Sequence, residues 1–179
     1  MIITEDFARK AILEVAPLVE DIGKLKTELD NYEIHVKNIP SQASYLPPFK
    51  LFSFNNALSG NKVYLKSVIS HELFHNAQFS TIKDLWKRHL NINQISSKQL
   101  ENRSSLTKLI EGDATFVEME VEKVLQNNIL ARQFDRLKFP KYYKSWENIL
   151  RKKFSGKRKD INELYTAPIE ELNKIFKSD

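Results

Sequence analysis

Ser67–Ser80 reads SVISHELFHNAQFS, and the way this stretch folds decides how the rest of the chain is arranged. Val68, Ile69, Leu73, Phe74 and Ala77 recur at three- and four-residue intervals, the period of a helix with an apolar face. His71 and His75 stand four positions apart on that helix, so their imidazoles sit one turn apart on one side and can reach a single metal ion. Glu72 lies ~100° further round, out of line for the same coordination position but able to take a proton from a water at the metal. With 4 His in 179 residues, an HExxH string arises by chance in about one such chain in a hundred. The plain alternative is a pair of hydrogen-bonded helix histidines, with Glu72 solvated or paired to a lysine such as Lys66.

Upstream, Phe7, Ala8, Ala11, Ile12, Val15, Leu18, Val19, Ile22 and Leu25 form another helical stripe, predicting an N-terminal helix over 4–30 with a kink at Pro17. A sheet region is expected over 31–65. Strand patterns occur at Tyr32–Val36, Leu51–Phe54 and Lys62–Leu65, while Pro40, Pro47 and Pro48 mark 39–49 as a loop. A small antiparallel sheet is the simplest arrangement of those strands. It is followed by an active-site helix over 66–80, with a capping box at Thr81 and Asp84 opening a short helix to Leu90. Leu106–Leu130 carries a long helical pattern, predicting a second helix over 105–130. A basic helical segment follows over 137–179, in which Gly156 breaks the pattern and Thr166 caps a last helix from Pro168 to Phe176. The expected fold class is α+β and mostly helical, as one domain over 1–179.

A catalytic zinc needs a third protein ligand and an open position. The extended pattern with Gly and His seven and ten residues after the first histidine is excluded, because Gln78 and Thr81 stand there. Glu111, in LIEGDATFVE, is the better candidate: its neighbours Leu109, Ile110, Ala114, Val117 and Val121 are apolar, and an acid among them needs a partner, which a bound zinc ion would supply. Asp113 is the second choice, although it points ~200° away from Glu111 on a helix. Thr115 and Glu118 follow Glu111 on its own face, and Glu118 is placed to orient a ligand histidine by accepting its other ring proton. Asp113, Thr115 and Glu118 are thus candidates for the surrounding shell, with solvent-facing charge as the plain alternative for both acids. Tyr165, Tyr142, Tyr143 and His89 are candidate donors to an oxyanion by chemistry alone.

HELFHNAQ at His71–Gln78, combined with EGDAT at Glu111–Thr115, resembles the gluzincin class of zinc metallopeptidases. More narrowly, it resembles a family of uncharacterised bacterial and archaeal zincin-like proteins that pair HELxHxxQ with EGDA. Leu164–Leu172, LYTAPIEEL, is a weaker echo of the same family. The resemblance covers about 62–172 and implies a zincin-like fold, one zinc ion on His71, His75 and Glu111, and Glu72 as the general base of peptide-bond hydrolysis. Thermolysin-like members place an Asp four residues after the glutamate ligand, where this chain has Thr115. The resemblance also makes Lys62–Leu65 the edge strand on which an extended peptide or protein substrate would pair.

Composition sets the outer bounds. Cysteine is absent, which excludes disulfides, thiolate metal sites and a Cys nucleophile. No apolar run is long enough for a membrane span and no secretory leader is visible at the start, giving a cytoplasmic expectation. The net charge of +5 is concentrated in 137–159, where nine basic residues face Glu147 alone. Tyr142, Tyr143, Trp146 and Phe154 are interleaved with them, so a nucleic-acid or anionic-surface binding module is the competing class, together with a non-catalytic zinc-binding protein. Helical spacing of Tyr143, Trp146, Leu150 and Phe154 favours a core-facing stripe over a binding face.

Overall fold

A computed structural model describes residues 1–95, 105–126, 141–155 and 157–176. Its first helix, α1 (Glu5–Gly23), opens where the Thr4 hydroxyl accepts the Phe7 N–H at 3.2 Å, with Glu5 and Asp6 complementing the helix dipole. Pro17 lies inside it. The helix stops seven residues short of the expected limit because Lys24 turns left-handed (φ 55°). The Glu20 carboxylate then takes the N–H and hydroxyl of Thr27 at 2.9 and 2.6 Å, redirecting the chain. Leu25 stays buried past the cap, so the apolar stripe outruns the helix.

Three strands follow: β1 (Glu33–Lys37), β2 (Ala43–Leu46) and β3 (Leu51–Asn55). The sheet is mixed and not antiparallel, in the order β1-β3-β2. A short 3-10 turn at Pro47–Phe49 folds β2 back on one edge of β3, which leaves β1 to pair in parallel on the other edge. The prolines of 39–49 therefore flank a strand where a loop was expected, and their missing N–H groups fall outside it.

Lys62–Leu65 is not a strand. It forms the first turn of α2 (Lys62–Thr81), because the Asn61 side chain caps the helix by accepting the Tyr64 N–H at 2.9 Å. Consequently the sheet ends at Asn55, and the edge strand expected at 62–65 does not exist. Asp84, in the left-handed region (φ 57°), separates α2 from α3 (Leu85–Ile95), while the Thr81 hydroxyl donates to the Lys26 carbonyl and does not cap α3.

The long pattern becomes α4 (Ser105–Gln126), with 127–130 outside the described residues. Then come α5 (Lys141–Phe154), α6 (Arg158–Leu164) and α7 (Ile169–Phe176); the Thr166 hydroxyl donates back to the Glu163 carbonyl. No helix among the described residues is long and apolar enough to cross a membrane.

α4 joins two apolar cores. Ala114, Val117 and Val121 pack with α1, the sheet and α2 in one of them. Leu106, Leu109 and Ile110 pack with Trp146, Leu150, Ile161, Leu164, Tyr165, Leu172 and Phe176 in the other. Among the described residues of the C-terminal segment, these seven from Trp146 to Phe176 are thus core. Gly112 permits this arrangement, since a Cβ there would lie 3.0 Å from the Trp146 Cβ.

Candidate metal centre

α2 and α4 pack side by side and bring their acids and imidazoles together. The ligand atoms of His71, His75 and Glu111 lie within 4.8 Å of one another. The Nε2 atoms of His71 and His75 each stand 3.5 Å from the same carboxylate oxygen, Glu111 Oε2. Zinc bonds of ~2.1 Å in a tetrahedron put neighbouring donor atoms roughly 3.4 Å apart, so these spacings suit that ion. The donor set, two imidazoles and one carboxylate, also suits it chemically.

Both rings are held from behind. His71 Nδ1 meets Glu118 Oε2 at 3.0 Å, and His75 Nδ1 meets Gln78 Oε1 at 2.7 Å. An amide oxygen can only accept, so Nδ1 of His75 carries the proton and the neutral ring has its lone pair on Nε2. In each case the back nitrogen is engaged and the front one faces Glu111.

Electrostatics reinforce the geometry. Burial resists charge on His71, but hydrogen bonds to Glu111 and Glu118 outweigh it and hold its pKa well above the ordinary histidine value. For His75 burial again opposes charge, and Glu111 overcomes it. Burial likewise resists ionisation of Glu111, yet the two imidazoles hold its carboxyl well below the usual range. Glu72 behaves differently: burial raises its pKa, against the pull of His75 and His71. It is 7% exposed and follows His71 directly on α2. Lys66, the alternative partner for Glu72, pairs with Glu14. Three carboxylates, Glu72, Glu111 and Glu118, thus surround two imidazoles, and His71, His75 and Glu111 among them form a group that could hold a metal ion.

The other sequence candidates divide. Glu118 and Asp113 are both buried, so neither is the solvent-facing charge of the plain alternative. Asp113 points to the far side of α4, where Arg158 grips both its oxygens and the Tyr165 hydroxyl donates to Oδ2 at 2.5 Å. The Thr115 hydroxyl donates to the Glu111 carbonyl at 2.9 Å, a helix-internal bond that reaches no histidine. Tyr165 is buried with its proton committed to Asp113, which removes it as an oxyanion donor. His89 stacks on Trp86 at 5.9 Å and meets Phe79 edge to face at 6.0 Å, and Phe79 in turn lies 6.3 Å from the His75 ring. Phe79 thus contacts both His89 and His75. The side chains of Tyr142 and Tyr143 lie outside the described residues.

Each motif letter now has a physical reason. In HELFHNAQ, Leu73, Phe74 and Ala77 are core, and Asn76 ties α2 to Glu28 and Tyr45 through both ends of its amide. In EGDA, Gly112 admits α5, Asp113 anchors Arg158 and Ala114 is core. Gln78 and Arg158 went unassigned in the sequence. Gln78 is marked by its place in HELxHxxQ and as a polar residue in a buried helical run, and nothing local marks Arg158.

Part of the basic segment turns inward. Arg158 lies over Phe74 and Phe116, and Arg151 pairs with Glu120 at 2.9 Å while covering Phe116. Comparisons with protein-family models, with curated proteins and with solved structures found no match.

Proposed function

We propose that the chain is a zinc-dependent peptidase of gluzincin type, in which His71, His75 and Glu111 hold one zinc ion and Glu72 is the general base. One observation carries this: two histidine Nε2 atoms converge at 3.5 Å on one oxygen of Glu111, beside a buried glutamate. When bound there, zinc supplies a Lewis acid that polarises a carbonyl and acidifies water.

The chain's own residues supply the proton handling. Burial brings the Glu72 carboxyl toward neutrality, matching a base that takes a proton from water and later returns it to a leaving amine. Glu118 and Gln78 keep the rings turned so that both Nε2 atoms face Glu111. The open edge of β2, tied to α2 through Tyr45 and Asn76, takes over from 62–65 as the strand edge for an extended peptide. The inward commitment of Arg151 and Arg158 weighs against the basic segment being a nucleic-acid face.

Glu72→Gln separates catalysis from mere metal binding. Zinc-loaded wild type should hydrolyse an unstructured protein substrate, while the variant should keep its zinc and lose at least ~100-fold in rate. Equal rates would remove Glu72 from its role, and a zinc-loaded wild type that cuts nothing would leave a non-catalytic zinc protein.

A further inference from the structure

Behind His75 a chain of hydrogen bonds runs from α2 past α4 to the turn after α6. Arg158 can only donate, and it forks on both oxygens of Asp113, so that carboxylate is an acceptor. Tyr165 must then donate to Asp113 Oδ2 across their 2.5 Å contact. Its oxygen is left to accept, and Gln78 Nε2 donates to it at 2.6 Å. The second Nε2 proton goes to the Ile110 carbonyl at 3.0 Å, which also can only accept. Turning the amide round would set its oxygen against that carbonyl and against a phenol whose proton is spent. Gln78 Oε1 therefore faces His75, and Nδ1 must be the protonated nitrogen. Arg88 holds the Tyr165 and Ala167 carbonyls, which fixes the turn that delivers the phenol.

We propose that Asp113, Tyr165 and Gln78 form a one-way relay that locks His75 as the Nδ1–H tautomer, with its Nε2 lone pair aimed at the metal position. They are positioning residues, and the C-terminal turn carrying Tyr165 is a working part of the metal centre. The proposal rests on the zinc-site reading above. The two histidines are supported differently: His71 directly by a carboxylate, His75 by a neutral amide whose direction is set by an ion pair two bonds away. A neutral group there orients the ring without adding a further carboxylate to Glu72, Glu111 and Glu118.

The test uses the full-length chain, with zinc affinity measured by chelator competition and the visible spectrum recorded with Co2+ in place of zinc. Gln78→Met should weaken zinc binding about 10- to 100-fold and change the Co2+ spectrum, the usual size of effect for a group that orients a ligand. Tyr165→Phe, which leaves Gln78 intact and removes one oxygen, should give a smaller change in the same direction. A purely structural network predicts otherwise: lower melting temperatures of the metal-free variants, with wild-type zinc affinity and Co2+ spectrum. That result in either variant overturns the relay, and Tyr165→Phe keeps the test open if Gln78→Met does not fold. Wild type that binds no zinc would instead defeat the underlying site reading.

Discussion

His71 and Glu118, 47 residues apart, meet through Nδ1 and Oε2 at 3.0 Å, so the helix that carries Glu111 also contacts the back of one histidine ring. Glu111 and Glu118 are seven residues apart, two turns of α4, which puts both on the face toward α2. Glu118→Ala should weaken zinc binding about 10- to 100-fold by freeing the His71 ring. Chelator competition measures it, and an unchanged affinity would mean that the contact does not orient the ligand.

Arg158 is the only cation recorded on Asp113 among the described residues, and that carboxylate is fully buried. Arg158→Ala strands the charge and should cost about 3–5 kcal/mol of folding stability, the usual penalty for removing one partner of a buried pair. Urea unfolding at neutral pH reads it. A loss below ~1 kcal/mol would indicate that Asp113 finds water or another donor.

Much of this was legible in the sequence. HELFH could be read as a two-histidine helix because both its apolar period and its ligand spacing are local, and Glu111 and Glu118 could be aligned by counting turns. What escaped is non-local or turns on a single cap. Gln78 takes its meaning from Tyr165, 87 residues away, and from the Ile110 carbonyl. Lys62–Leu65 alternates like a strand, and only the Asn61 cap makes it the start of a helix. The parallel pairing of β1 follows from β2 occupying the other edge of β3, a competition that no single strand's pattern reveals.

Burial, followed by the Asp113 charge, raises the Tyr165 pKa well above that of a free tyrosine, with Arg158 opposing. Below pH ~10 both folded and unfolded chains keep this proton, and its contribution to stability is fully present. As pH climbs past ~10 the unfolded chain releases it and the folded chain does not, so stability falls. Tyr165→Phe should remove that part of the alkaline loss. Urea midpoints at about pH 8 and pH 11 for both proteins measure it, and identical slopes would show that Tyr165 ionises normally.

Zinc content of the purified chain, wild type beside Glu111→Ala, bears most directly on the central claim. The structure places one carboxylate oxygen 3.5 Å from both histidine nitrogens, so wild type should retain about one zinc per chain and the variant should lose it readily to a chelator. Wild type that holds no zinc after loading, or a variant that holds it as tightly, would contradict a site built from His71, His75 and Glu111.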